Sequence, residues 1–203
     1  MAEALRARVA GVDWTDTAAQ LDAEGCAVLS GLLEAAQVQA LAALCERPGP
    51  WPGWVGVLQA ALHARLVPVA NAWHARLGRP LRHPPALVRG EPPRPHGLRA
   101  GEDLPLQHGS EEPGAFPLQL HILLGMPGED FTGGALVLTE QRPRMQSRPM
   151  VLPLRRGDIA LFAVAERPQA GTRGDYAVRL RHGIARVRSG RRLGLELRFD
   201  EAA

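Results

Sequence analysis

Residues 116–199 run as short apolar segments separated by glycine and proline turns, and this rhythm limits the fold more than any other feature. Residues 116–124 and 135–138 flank a Gly133-Gly134 pair. Residues 151–154 lead into the turn Arg155-Arg156-Gly157-Asp158, and 159–164, 176–180, 183–187 and 193–199 complete the series. Many short strands with glycine turns build a sandwich or barrel rather than a parallel sheet. The helical patterns all precede them. The expected class is α+β, with helices packed on one face of a barrel.

The first part of the chain reads as a support. Thr15 or Asp16 caps a short helix that ends near Gly25. Residues 26–29 form a brief strand. Val38, Leu41 and Leu44 recur at helical spacing over 34–45. After the breaks Pro48-Gly49-Pro50 and Pro52-Gly53, a long amphipathic helix carries Val55, Leu58, Leu62, Leu66, Val69, Trp73 and Leu77 on one face. Pro68 inside it predicts a kink or split. Trp73 is read as core. Residues 78–101 form an irregular connection with one short strand at 86–88, and His83 and His96 are read there as exposed loop residues. The expectation is one integrated domain: helical support and connection over 1–100, barrel core over 101–203.

Composition removes several function classes. The chain has no lysine, which excludes Schiff-base and P-loop lysine chemistry. The net charge of +3 is small, and no basic run alternates with stacking aromatics, so no nucleic-acid partner is expected. No apolar stretch approaches a membrane span and no secretory leader pattern opens the chain, which makes the expected location cytoplasmic, without membrane association. Cys26 and Cys45 fit no zinc spacing and are read as buried thiols.

Three residues are candidates for chemistry: His108, His182 and Arg192. Two histidines and a carboxylate hold ferrous iron while leaving positions open for a co-substrate and oxygen. An arginine recognises the far carboxylate of a 2-oxoacid in bidentate geometry. Spacing alone is weak support, because seven histidines and 24 arginines allow chance pairs. On spacing alone the plainer reading is a loop histidine and a strand-edge histidine.

Longer motifs add to this reading. They are 116–120 with 122–124, 127–134 (Pro-Gly-Glu-Asp-Phe-Thr-Gly-Gly) and 138–148 (Leu-Thr-Glu-Gln-Arg-Pro-Arg-Met-Gln-Ser-Arg). Arg156-Gly157-Asp158 before Leu161-Phe162, and Arg181-His182-Gly183 before Ser189-Gly190, continue the series. Together they resemble a bacterial branch of the 2-oxoglutarate/Fe(II)-dependent oxygenases related to prolyl 4-hydroxylases, over residues 106–202. The resemblance implies a double-stranded β-helix (jelly-roll) barrel, Fe(II) as metal and 2-oxoglutarate as co-substrate. It implies hydroxylation of an unknown small-molecule or protein substrate with release of succinate and CO2. By position, His182 resembles the distal iron-binding histidine, Arg192 the anchor of 2-oxoglutarate, and His108 the first histidine of an HxD motif.

The pattern breaks at Ser110, which stands where that motif has aspartate. Four readings follow. Glu111, or Glu112, supplies the carboxylate, with Glu111 the first choice as third metal ligand. A halide fills the position, as in related halogenases. His121, which shares strand parity with Gln119, gives a third nitrogen. Or the barrel is retained as a binding module without turnover.

Overall fold

The computed structural model describes residues 1–87, 91–109, 115–142, 146–164, 166–172 and 174–199. Helix α1 (Ala2–Ala10), which the sequence pattern did not suggest, is tied down by Arg8. The Arg8 guanidinium donates to Leu32 O at 2.8 Å and to Gln37 Oε1 at 2.9 Å, and pairs with Glu34. Helix α2 (Trp14–Glu24) starts two residues earlier than a Thr15 cap would place it, because the Asp13 carboxylate accepts from Asp16 N at 3.0 Å. Gly25 ends it in the left-handed region at φ 74°. A Cβ there would also lie 2.9 Å from Arg167 Cδ, so both conformation and space select glycine.

Strand β1 (Cys26–Leu29) and helix α3 (Ala35–Glu46) fall where the sequence places them. Helix α4 (Gly53–Arg76) runs unbroken through Pro68. The expected split does not occur, because Pro68 and Ala64, the residue whose carbonyl loses its partner, both lie on the exposed face. Trp73 is buried, and its indole N–H donates to Asp22 Oδ1 at 2.5 Å.

The remaining strands are β2 (Arg94–Arg99), β3 (Leu104–Gln107), β4 (Leu118–Leu123), β5 (Phe131–Gly133), β6 (Leu136–Gln141), β7 (Arg148–Leu152), β8 (Ile159–Ala163), β9 (Glu166–Gly171), β10 (Gly174–Ile184) and β11 (Val187–Leu197). One sheet has the order β1-β8-β4-β11-β2, with β5 paired to β11. The other has the order β3-β10-β6-β7, with β9 paired to β10. Successive strands from β2 onward alternate largely between the two sheets. This is the expected jelly roll, with helices on the outer face of the first sheet.

Two readings of the connection change. Ala86 and Leu87 are not strand, and Val88 lies outside the described residues. The strand comes later, at Arg94–Arg99, where Leu98 is its one buried apolar side chain and no alternation betrays it. His83 is buried, 8 % exposed, against Phe116 and His74. His96 lies on β2 inside the barrel, so neither histidine is an exposed loop residue. Cys26 and Cys45 are half-buried free thiols, each pushed up to about 11, mainly by burial.

One buried ion pair joins helix to barrel. Arg167, fully buried, pairs with Glu140 and donates to Asp22 O at 2.8 Å and Ala23 O at 3.0 Å. It thereby satisfies carbonyls at the end of α2 that the helix itself leaves open. Among the described residues, no helix is long and apolar enough to cross a membrane.

Candidate functional site

Alternation along the first sheet sends two different sets of side chains to its two faces. On β4, Leu118, Leu120 and Ile122 pack with the helices, while Leu123 packs with Leu136, Leu138 and Ile184 of the second sheet. Gln119 and His121 share the parity of Leu123 and therefore face the barrel interior. On β11, Leu195 and Leu197 go to the helices. Arg192, Gly194, Glu196 and Arg198 alternate with them and face inward, and so does His96 on β2.

Arg192 is 1 % exposed. Its Nε donates to Gly134 O at 2.7 Å and its NH2 to His121 Nε2 at 2.9 Å. NH1 is buried and has no partner among the described residues. Burial pulls the guanidinium down to about 10, with the Glu196 carboxylate opposing, which still leaves a full charge at neutral pH. A buried cation with N–H groups unspent is costly and calls for an anion.

His182 on β10 is 2 % exposed, packs against Phe162 at 5.0 Å between centroids, and has neither nitrogen bonded among the described residues. Burial first, then the Arg198 charge and the nearby His108, lower it to about 4, so the imidazole is neutral and open to a metal. His121 is kept neutral by burial and, secondarily, by Arg192, His96 and His182, which places all four in one interior neighbourhood.

His108, just past β3, behaves differently. Arg181 Nε donates to its Nε2 at 3.0 Å, and its Nδ1 lies 3.1 Å from Leu180 O. Arginine only donates, so Nε2 accepts and Nδ1 carries the proton that goes to Leu180. Both nitrogens are engaged. The ring lines a recess of about 180 Å³ with Thr139, Gln141, Ser147, Arg179 and Arg181. Arg179 and Arg181 are exposed and have the opposite parity to His182 on β10. Ser110, Glu111 and Glu112 lie outside the described residues.

A third grouping was not seen in the sequence. Ligand atoms of His96, His121 and Glu196 lie within 4.8 Å of one another. The His96 and His121 rings stack at 4.9 Å and 22°, with His96 Nε2 3.4 Å from His121 Nδ1. They meet over Gly194 on the strand between them, where a Cβ would come within 2.4 Å of His96 Cε1 and 2.8 Å of His121 Cε1. Burial raises the Glu196 carboxyl, against the pull of Arg198, Arg94 and Gln119.

The interior thus gathers His182, His121, Arg192, Glu196 and His96. The orphaned NH1 of Arg192 fits the far carboxylate of a 2-oxoacid, and the two open nitrogens of His182 fit a ferrous ion. The period-2 polar series Arg192, Gly194, Glu196, Arg198 was the signal for Glu196. For His96 no comparable signal exists, because β2 itself is hidden.

The family model Oxygenase-NA, described as "Oxygenase, catalysing oxidative methylation of damaged DNA", matches residues 99–202. An uncharacterized protein of Mycobacterium tuberculosis is 35% identical over 167 residues, covering 77% of this chain and 72% of its own length. Among solved structures, an oxidoreductase of the 2OG-Fe(II) oxygenase family from Burkholderia pseudomallei superposes with TM-score 0.58 at 16% identity, covering 93% of this chain and 90% of that one. A Pseudomonas putida prolyl-4-hydroxylase gives TM-score 0.59 at 14% identity, covering 94% of this chain and 95% of that one. At these identities the structural likeness is one of fold.

Proposed function

This chain belongs to the Oxygenase-NA family of oxygenases, and we propose that it uses Fe(II) and 2-oxoglutarate to hydroxylate a C–H bond of an organic substrate. The observation that carries the reading is Arg192: a buried guanidinium inside the barrel, held by Gly134 O and His121, with NH1 unspent. An always-charged planar donor is suited to a carboxylate. His182 would hold the metal through a neutral ring nitrogen. His108, the expected second histidine, bonds Arg181 on the face of β10 opposite His182. Its ring would have to leave Arg181 and turn to the interior to add a second nitrogen, and Glu111 remains the first choice for the carboxylate.

When bound, iron would activate O2, the oxidant, with 2-oxoglutarate giving up two electrons as it loses CO2, so that one oxygen atom goes to succinate and the other to the substrate. The chain's own contribution is orientation and exclusion of water. Arg192 fixes one end of the co-substrate, and Leu138, Phe162 and Ile184 line a dry interior beside His182.

The substrate reading favours a small molecule or a protein side chain, because one tyrosine, four phenylalanines and four tryptophans, 4% of the chain, leave little for base stacking. One observation favours a second reading. Arg179, paired with Glu166 at 3.2 Å, and Arg181 are both exposed beside His108 and keep guanidinium N–H groups that a phosphate backbone could take, in line with the damaged-DNA activity that describes the family. On an N-methylated base, hydroxylation of the methyl group would release it as formaldehyde. Succinate and formaldehyde formed together on methylated single-stranded DNA would select this reading, and succinate formation unresponsive to such DNA would reject it.

The first test is anaerobic titration of the metal-free protein with Fe(II) and 2-oxoglutarate, following the visible charge-transfer band of the chelate. A band that is lost in His182→Ala and in Arg192→Met supports the proposal. A folded protein that gives no band overturns it, and leaves a barrel that binds anions without turnover.

A further inference from the structure

His96, His121 and Glu196 have the composition of a metal site, two histidines and a carboxylate. Hydrogen bonding argues against that use. Arg192 NH2 donates to His121 Nε2 at 2.9 Å, and a guanidinium has no lone pair to offer in return. His121 Nε2 must therefore accept, and its proton sits on Nδ1. That Nδ1–H faces His96 Nε2 at 3.4 Å, a long contact, so His96 Nε2 accepts in turn and the His96 proton sits on Nδ1, which is buried without a partner among the described residues. Arg192 sets the tautomer of His121 directly and that of His96 through it. A divalent cation would have to displace the His121 Nδ1 proton while standing beside the positive charge of Arg192.

We propose that His121 and His96 are positioning residues for Arg192. Their hydrogen-bond relay, with Gly134 O at Nε, fixes the plane of the guanidinium and leaves NH1 for the far carboxylate of 2-oxoglutarate. This rests on the assignment of Arg192 as the co-substrate anchor. The relay is built into the sheet. His96 and His121 stand on β2 and β4, the strands either side of β11, and reach each other because position 194 between them has no side chain. Gly194, His96 and His121 are thus one device. Guanidinium recognition depends on angle as well as charge, so holding the plane in advance lowers the ordering cost of binding.

The relay makes a prediction that does not involve the co-substrate. Nitrogen-15 NMR of the histidine rings in the metal-free protein should show both His96 and His121 as the Nδ1–H tautomer. In Arg192→Met, His121 should move toward the Nε2–H form that free imidazole side chains prefer. Binding gives the second readout, with 2-oxoglutarate titrated anaerobically into the Fe(II)-loaded protein. His121→Leu should weaken binding by about 10- to 100-fold, the effect of losing one hydrogen bond to a charged group. His121→Gln, whose Oε1 can accept from Arg192, should restore it to within about threefold, a rescue that a purely structural role would not give.

An Nε2–H tautomer at His121 in the unmodified protein overturns the proposal. So does unchanged binding in His121→Leu while Arg192→Met abolishes it, and in that case the anchor assignment survives. Unchanged binding in Arg192→Met would instead remove the anchor assignment itself. A stoichiometric divalent ion lost in His96→Leu would overturn the proposal in favour of a metal site.

Discussion

The two faces of the first sheet are made by the same strands and have opposite chemistry. On β4 and β11 the residues toward the helices are Leu118, Leu120, Ile122, Leu195 and Leu197, all buried in one apolar cluster with α4. The residues that alternate with them are Gln119, His121, Arg192, Glu196 and Arg198, which point into the barrel. One face gains free energy from burial. The other keeps orphaned nitrogens on Gln119, Arg192 and Arg198 away from water, an arrangement that opposes folding unless a ligand completes it. The helices therefore do more than cover a sheet: their apolar contacts offset the cost of a polar interior.

The comparison is broken most directly by exchanging one residue from each face. Leu120→Ala, on the helix side, should cost about 3 kcal/mol of stability with 2-oxoglutarate affinity little changed, measured by denaturant unfolding and calorimetric titration. Arg192→Met should do the reverse. Binding should fall at least about 100-fold, while the midpoint of unfolding holds or rises, because an unpaired buried charge is replaced by an apolar side chain of similar length. A large loss of stability in Arg192→Met would mean that the charge is paired in the folded protein, and the contrast between the faces would fail.

Titration sharpens the same contrast, because the helix side also contains ionisable groups. His63 and His74 on α4 are buried, and burial, with the His83 charge adding, lowers both to about 4. Unfolded, each has an ordinary value near 6.5. The unfolded chain therefore binds more protons between these limits, and stability rises with pH across the window. It is fully present above about 6.5 and is lost as pH falls toward 4. Going from pH 6.5 to 5 should cost on the order of 1–2 kcal/mol for each histidine. The check is unfolding against pH in His63→Leu and His74→Leu, whose curves should be flatter. A parent profile that is flat from pH 5 to 7 would show that these rings are not held neutral by burial.

What the sequence disclosed follows the same division. The apolar periodicities of α3 and α4 and the strands at 118–123 and 159–163 were legible, because burial writes a regular pattern, whereas Arg192 stood out only through the resemblance of its motif. Strands β2, β3, β5 and β9 were not. They are short edge or connecting strands with few buried apolar side chains, and β9 keeps Pro168. With β2 unseen, His96 had no neighbour in view and was read as loop. Glu140 and Arg167 were missed for another reason. Each looks like an ordinary charged residue until the fold places them 27 positions apart in one buried pair. The third ligand to a metal stays an expectation at Glu111, outside the described residues.

The last exchange concerns two glycines, one belonging to each side. Gly56 in α4 is exposed, and an added Cβ would meet nothing within 4 Å. Gly56→Ala should therefore raise stability by about 0.5–1 kcal/mol through helix propensity alone, without touching ligand binding. Gly194→Ala adds the same methyl group between the two imidazoles, 2.4 Å from one and 2.8 Å from the other. Neither ring can stay where it is. The strand offers no alternative backbone to absorb the change, since β11 is paired on both sides at this position. His121 must then tilt away from Arg192, and the cost should be roughly 1–3 kcal/mol of stability, as for other overpacked sites. Weaker 2-oxoglutarate binding should accompany it, by less than in Arg192→Met, because the charge remains and only its aim is lost. If Gly194→Ala bound 2-oxoglutarate as tightly as the parent, the polar face would owe its chemistry to Arg192 alone. The two histidines over Gly194 would then be packing.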